Sequence, residues 1–165
     1  MTSHPIPILL VEDNPDHAEL TMQALKRSKL INQIFHVKDG EEALQFLFRQ
    51  GPYADREKEP RPGLILLDLR LPKADGLEVL RRVKADPALR SIPTVMLTTI
   101  EEREEMKKAY ELGANSYVTK PVQFSEFMEK VQAIGLYWLL TNAQPQVEVR
   151  DSSTPGVQRP VKVKG

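Results

Sequence analysis

Five short apolar segments, each followed by a segment with helical spacing, constrain the fold of this chain more than any other feature. The predicted strands cover residues 6–11, 34–37, 64–67, 94–97 and 116–118. The predicted helices begin near residues 14, 40, 76, 101 and 124. Parallel strands need long crossovers, and those crossovers are right-handed and cover the sheet. The alternation therefore predicts a five-stranded parallel sheet with helices on both faces, a doubly wound α/β fold.

The chain is expected to form one domain with extensions. Its 165 residues suffice for one buried core. We assign residues 1–5 to an N-terminal extension, 6–141 to the domain and 142–165 to a flexible tail that is poor in large apolar residues. Within the domain, residues 51–63 are rich in proline and charge and are predicted to form an inserted solvated loop at the amino ends of the strands. Strands 34–37 and 94–97 look continuously apolar, which is typical of strands covered on both faces.

Composition excludes several classes of protein. Lys plus Arg and Asp plus Glu balance at 23 each, so no overall field draws the chain to nucleic acid or to an anionic membrane. Cysteine is absent, which excludes disulfides, thiol catalysis and cysteine-ligated zinc. The N-terminus lacks the pattern of a signal peptide, and no apolar run has the length of a membrane span. We expect a cytoplasmic protein.

Chemically active side chains follow four of the predicted strands. They are Glu12 and Asp13, Asp68, Thr98 and Thr99, and Lys120. In open parallel sheets the ligand site lies beyond the carboxyl ends of the strands, so these residues should meet. Clustered carboxylates repel each other, and a bound cation would offset this repulsion. Mg²⁺ fits because it prefers oxygen ligands. A lysine and a hydroxyl opposite such a metal favour a phosphoryl group as their shared ligand. The pattern predicts an aspartyl-phosphate site with Mg²⁺ as cofactor.

Each of these signals is weak alone. Glu12 and Asp13 are also typical of a solvated turn, and Lys120 followed by Pro121 of a surface turn. The specificity comes from finding all four at the carboxyl ends of the right strands.

The residues that carry these signals resemble the motifs of response-regulator receivers. The matching stretches are ILLVEDNP, LILLDLRLPKADGLEVL, PTVMLTT and GANSYVTKP, within a resemblance from about Pro7 to Leu140. The resemblance implies a flavodoxin-like sheet with strand order 2-1-3-4-5. It also implies that Asp68 accepts phosphate, that Asp13 binds Mg²⁺ directly and Glu12 through water, and that the backbone carbonyl of Arg70 completes the protein ligands.

The same resemblance assigns the phosphoryl contacts and the switch. Lys120 would pair first with the acceptor carboxylate and then with the phosphoryl group, and the Thr98 hydroxyl and the Thr99 amide would hold the remaining oxygens. Tyr117 would turn inward as Thr98 moves, remodelling the face formed by helix four, strand five and helix five. The bond before Pro121 is expected to be cis.

By resemblance, the phosphate donor is a phosphohistidine of a sensor histidine kinase. The inserted loop and the YELGANSYVTKPV stretch are similar to small regulators of phytochrome-type kinases. Such a protein is not an enzyme beyond its own phosphorylation and self-dephosphorylation. Three alternatives remain. A flavodoxin-type FMN carrier is disfavoured by the acidic EDNPDH stretch, and a haloacid-dehalogenase-type phosphatase is disfavoured because Arg70 stands where such enzymes need a second Asp. The third alternative is a scaffold that is not phosphorylated.

Helix five carries two apolar faces. Its core stripe is predicted to contain Phe124, Phe127, Met128, Val131, Gly135 and Trp138. Leu136, Tyr137 and Leu140 fall on the other side, where either the tail folds over them or they form a patch for a homodimer or for kinase docking. His17, on the first helix, is interpreted as a solvated residue without a role.

Overall fold

The sheet has five parallel strands in the order β2-β1-β3-β4-β5, as predicted. The computed structural model describes residues 7–27, 33–58 and 61–133. The strands are β1 Pro7–Val11, β2 Gln33–Val37, β3 Leu64–Asp68, β4 Thr94–Thr98 and β5 Ser116–Thr119. The expected doubly wound architecture is confirmed, and it brings the carboxyl ends of β1, β3, β4 and β5 to one edge.

Short polar side chains cap the first three of the described helices. The helices are α1 Pro15–Lys26, α2 Gly40–Phe48, α3 Gly76–Ala85, α4 Arg103–Leu112 and α5 Phe124–Ala133. Asn14, Asp39 and Asp75 precede the first three and accept backbone N–H bonds from their first turns. The Asn14 cap turns the chain away from the sheet directly after Glu12 and Asp13.

Alternating strand residues build two separate cores. Leu9 and Leu67 face one side of the sheet, where α2, α3 and α4 pack, and Leu10 and Leu66 face the other, where α1 and α5 pack. The α5 contribution includes fully buried Phe127, as the predicted stripe requires. Each large apolar side chain buried in this way stabilises the fold by roughly 1.5–3 kcal/mol.

Strand β2 differs from the expectation that it is covered on both faces. It lies at the edge of the sheet with β1 as its only partner among the described strands, and Ile34, Phe35 and His36 are only partly buried. The ring Nε2 of His36 lies 2.8 Å from the backbone carbonyl of Glu12. Strand β4, in contrast, is buried throughout, as predicted.

The inserted segment is more ordered than the solvated loop predicted from its composition. Residues Gly51–Lys58 form a 3-10 helix. The ring of Tyr53 packs edge-on against Phe46, and the Arg61 guanidinium donates to the backbone carbonyl of Leu47. These contacts fasten a charged, exposed segment to α2, which proline and charge content could not reveal. Its position at the amino ends of the strands agrees with the prediction, since the Gly63 N–H bonds the Pro7 carbonyl at 2.8 Å.

The far end of the predicted fifth helix lies outside the described residues. Leu136, Tyr137 and Leu140 fall there, as do the predicted N-terminal extension and tail, so the three-part division of the chain and the homodimer stay predictions. In the described part of the chain, no helix has the length and apolarity that crossing a membrane requires.

Candidate functional site

Strand register brings the predicted residues to one edge of the sheet. Asp68, the last residue of β3, is paired in register with Leu97, and Thr98, the last of β4, with Thr119. Glu12 and Lys120 directly follow β1 and β5. Side chains that lie far apart in the sequence therefore meet within one small volume.

Glu12, Asp68 and Lys120 form what we call the acidic half of the site. The Lys120 ammonium lies 2.7 Å from Asp68 Oδ2 and 3.2 Å from Glu12 Oε1. The Glu12 and Asp68 side chains are 0% and 3% exposed and that of Lys120 is 13% exposed. Burial alone would lower the pKa of Lys120, but its bonds and charge attraction to Asp68 and then Glu12 outweigh this, and its pKa is raised. Lys120 is therefore a fixed cation beside Asp68.

Glu12 is held in an unfavourable position for a carboxylate. Burial, and next the charge of Asp68, raise its pKa from 4.5 to about 7, against the opposing influence of the Asn14 N–H bond and of Lys120. The site thus holds more negative charge than one lysine neutralises, which is the condition that a bound cation relieves.

The carboxylates fit a hard divalent cation. Glu12, Asp13 and Asp68 each offer an oxygen, and these three atoms lie within 4.8 Å of one another. Asp13 is exposed while the other two are buried, so the cluster opens to solvent on one side. All-oxygen, partly hydrated coordination of this kind suits Mg²⁺. The Arg70 N–H donates to Asp68 Oδ1 at 3.1 Å, which places residue 70 beside the cluster, while the use of its carbonyl as a ligand stays a prediction.

The loop after β3 is held by close backbone contacts. A Cβ on Gly76 would lie 2.2 Å from the Asp68 carbonyl oxygen, and one on Gly40 would lie 1.7 Å from that of Ala74. Only glycine fits at such separations. The Gly40 N–H also donates to the Pro72 carbonyl at 3.1 Å. The loop that carries Arg70 is therefore clamped between α2 and α3.

Thr98, Thr99, Glu102 and Arg70 form what we call the threonine half. Glu102 Oε1 accepts the Thr99 N–H at 2.8 Å, and the Thr98 hydroxyl lies 3.1 Å from that same oxygen and 3.1 Å from the Thr99 carbonyl. Glu102 Oε2 accepts from Arg70 Nε at 2.7 Å, and Arg70 Nη2 reaches Glu105 at 2.8 Å. Both donors assigned to the phosphoryl group are thus engaged within the chain: the Thr99 N–H bonds the Glu102 carboxylate, and the Thr98 hydroxyl is shared between that carboxylate and the Thr99 carbonyl. The sequence interpretation missed Glu102, although Thr99 followed three residues later by Glu102 is a capping-box signal.

Tyr117 lies on β5 next to this half. Its ring is partly buried, meets Tyr110 edge-on at 6.4 Å between centroids, and has the Lys130 ammonium 4.0 Å from its centroid. Together with Thr98, Met106 and the 47% exposed Tyr110, it lines a groove beside α4. The proposed inward turn of Tyr117 would therefore rebuild contacts with both α4 and α5.

Two further observations concern the mouth of the site. The bond between Lys120 and Pro121 is cis. His17, to which we assigned no role, has its Nδ1 3.4 Å from the Lys120 ammonium. The two residues are 103 positions apart in the sequence, and they meet because β1 and β5 end at the same edge of the sheet.

Comparison with known proteins agrees with this geometry. The chain is 43% identical over 141 residues to Response regulator Rcp1 of Synechocystis sp., covering 86% of this chain and 94% of that one. The Mn²⁺-bound crystal structure of Rcp1 matches with a TM-score of 0.68 at 42% identity, covering 86% and 99% of the two chains.

Two other solved structures are similar. The bacteriophytochrome response regulator RtBRR matches with a TM-score of 0.74 at 50% identity over 82% of this chain and 81% of that one. The phosphorylated cyanobacterial phytochrome response regulator RcpA matches with a TM-score of 0.69 at 40% identity over 84% and 96%. Residues 8–132 match the family described as response regulator receiver domain. With the acidic cluster, the partly buried lysine and the 2-1-3-4-5 sheet in place, the chain belongs to the response regulator receiver family.

Proposed function

We propose that this receiver domain accepts a phosphoryl group on Asp68 from a phosphohistidine of a sensor histidine kinase, with Mg²⁺ bound by Asp13, Glu12 and Asp68. One observation carries the assignment: the buried Asp68 carboxylate lies 2.7 Å from the partly buried Lys120 ammonium, inside a cluster of three carboxylates. Such a cluster binds a cation first and a phosphoryl group beside it.

The residues of the chain divide the chemistry among them. Asp68 supplies the oxygen that bonds to phosphorus while the bond between phosphorus and the kinase histidine nitrogen breaks and the imidazole leaves. The Arg70 N–H bond orients the Asp68 carboxylate. Lys120 keeps its contact with the acceptor side and neutralises charge on the transferred group. The Thr98 hydroxyl and the Thr99 N–H are the donors for the remaining phosphoryl oxygens. Mg²⁺, when bound, supplies positive charge that screens carboxylates and phosphoryl oxygens from one another. Positioning and charge neutralisation suffice for phosphoryl transfer of this kind.

The kinase partner is proposed to be of the phytochrome type. The support is the similarity to the bacteriophytochrome response regulator RtBRR and the cyanobacterial phytochrome response regulator RcpA, at 50% and 40% identity over most of each chain. Movement of Thr98 towards the phosphoryl group, followed by Tyr117, would change the surface of α4, β5 and α5. A homodimer through Leu136, Tyr137 and Leu140 rests on apolar placement alone, and sedimentation of a charged Leu136→Asp, Leu140→Asp variant decides it.

The structure adds an argument against a phosphatase. A haloacid-dehalogenase-type enzyme needs an acid or base two residues after the acceptor aspartate. Here that residue is Arg70, whose guanidinium is paired with Glu102 and Glu105. The arginine supplies neither the general acid nor the general base that such an enzyme needs, so we expect self-dephosphorylation and no turnover of added phosphate esters.

Incubation with acetyl phosphate and Mg²⁺, followed by intact mass measurement, tests the assignment. Wild type should gain one phosphoryl group and Asp68→Asn none. Asp55→Asn, in the inserted segment at the opposite end of the sheet, is the matched control and should label like wild type. Full labelling of the Asp68→Asn variant, or steady hydrolysis of p-nitrophenyl phosphate, would refute the proposal.

A further inference from the structure

Glu102 differs from an ordinary capping-box glutamate. Such residues usually lie at the surface and bond one backbone N–H. Glu102 is 5% exposed, and its carboxylate takes three partners: the Thr98 hydroxyl, the Thr99 N–H and the Arg70 guanidinium. Three convergent donors around one buried anion make a complete anion site, occupied by the chain's own side chain.

That site overlaps the one required by phosphorylated Asp68. The Thr98 hydroxyl has a single proton, and the Thr99 amide has a single N–H, so neither can serve Glu102 and a phosphoryl oxygen at full strength. A carboxylate and a phosphoryl group in the same water-poor space also repel each other. One anion must leave before the other can take both donors.

We propose that Glu102 is a positioning residue that withholds Thr98 and Thr99 from the phosphoryl group and so determines the anion affinity of the site. This inference rests on the proposed function, and it identifies Glu102 as the residue that competes with the phosphoryl group for its donors. Arg70 joins the two halves, because its N–H holds Asp68 and its guanidinium holds Glu102 and Glu105. Release of Glu102 would free the turn Ile100–Glu102 and, through Glu105, the start of α4. The carboxylate thereby couples occupancy of the site to the α4 surface.

Affinity for beryllofluoride, a mimic of the phosphoryl group on an aspartate, tests the competition directly. Calorimetric titration at saturating Mg²⁺ compares wild type with Glu102→Gln, which keeps the shape but loses the charge and turns an N–H group towards Arg70. Glu102→Gln should bind beryllofluoride about tenfold more tightly, since a competing charge-assisted contact is removed. Mg²⁺ affinity, which depends on the acidic half, should stay unchanged. Glu101→Gln, exposed on the same turn, is the matched control and should match wild type in both titrations.

A second variant separates this role from general loosening of the fold. In a Thr98→Val background the gain from Glu102→Gln should shrink, because one of the two withheld donors is gone. An undiminished gain there, or unchanged or weaker beryllofluoride binding in Glu102→Gln, would overturn the inference while leaving the proposed function intact. If wild type itself binds Mg²⁺ but no beryllofluoride, the proposed function fails, and the competition fails with it.

Discussion

The two halves of the site contain similar groups in opposite states. In the acidic half, Glu12 and Asp68 share one lysine, so negative charge is in excess and the site is ready for a cation. In the threonine half, Glu102 is fully satisfied by Arg70, Thr98 and Thr99, so that the groups needed later are already engaged. The difference shows that one edge of a sheet can hold a preformed binding half and a half that must rearrange. Under the proposed function, the acidic half binds the cation as it stands and the threonine half rearranges when Asp68 is phosphorylated.

The largest expected effect comes from removing the cation of the acidic half. Lys120→Met leaves two buried carboxylates without their partner, and breaking a buried ion pair in this way should cost about 4 kcal/mol of unfolding free energy. Urea denaturation without Mg²⁺ measures it. Lys107→Met, whose side chain is 71% exposed, should cost less than about 1 kcal/mol. Equal losses in the two variants would show that the acidic half is not preformed.

A smaller effect should appear in the pH dependence of stability. Because the folded-state pKa of Glu12 is raised from 4.5 to about 7, its favourable contribution is complete below pH 4.5 and is lost as the pH rises to about 7. The full shift of the Glu12 pKa corresponds to about 3 kcal/mol of unfolding free energy. Unfolding of wild type without Mg²⁺ should therefore become easier across this range, and Glu12→Gln should flatten the curve.

Two controls sharpen that comparison. Glu111→Gln, on the exposed face of α4, should keep the wild-type slope. Saturating Mg²⁺ should remove the slope from wild type, because the cation favours the ionised carboxylates. If the unfolding free energy of Glu12→Gln still falls with pH as in wild type, a group other than Glu12 is responsible for the pH dependence.

The smallest expected effect lies in the threonine half. Arg70→Ala removes both ion pairs of a guanidinium that is 65% exposed, so unfolding free energy should fall by about 1 kcal/mol or less. Thermal unfolding measures the change, with the exposed Arg90→Ala as a control that should lose less. A loss as large as that of Lys120→Met would mean that the threonine half is held as firmly as the acidic one.

The positions of the strand-end residues were predictable because they depend on topology alone. Once the apolar segments are strands of one parallel sheet, Asp68 and Lys120 must lie at the same edge, and the resemblance to receivers supplied the strand order. Exposure of β2 was harder to predict, since Ile34–Val37 looks as apolar as a central strand apart from His36. Its edge position decides the burial.

Contacts between side chains of different elements were not predictable in the same way. The bond between Arg70 and Glu102 spans 32 residues and depends on how the turn before α4 is folded. Similarly, composition revealed the charge of residues 51–63 but not the anchoring of Tyr53 against Phe46. Each of these features depends on a rotamer and a packing angle, which periodicity does not encode.

The inserted 3-10 segment Gly51–Lys58 offers a practical site for labelling. It lies at the amino ends of strands that are five residues long, about 15 Å from the carboxylates at the other end. A fluorophore or affinity tag on exposed Ala54 would leave Tyr53 and Arg61 in place and lie outside both halves of the site. Because the chain has no cysteine, a single cysteine introduced there would react alone. A label at this position would therefore report binding to a kinase without contacting the residues of the phosphorylation site.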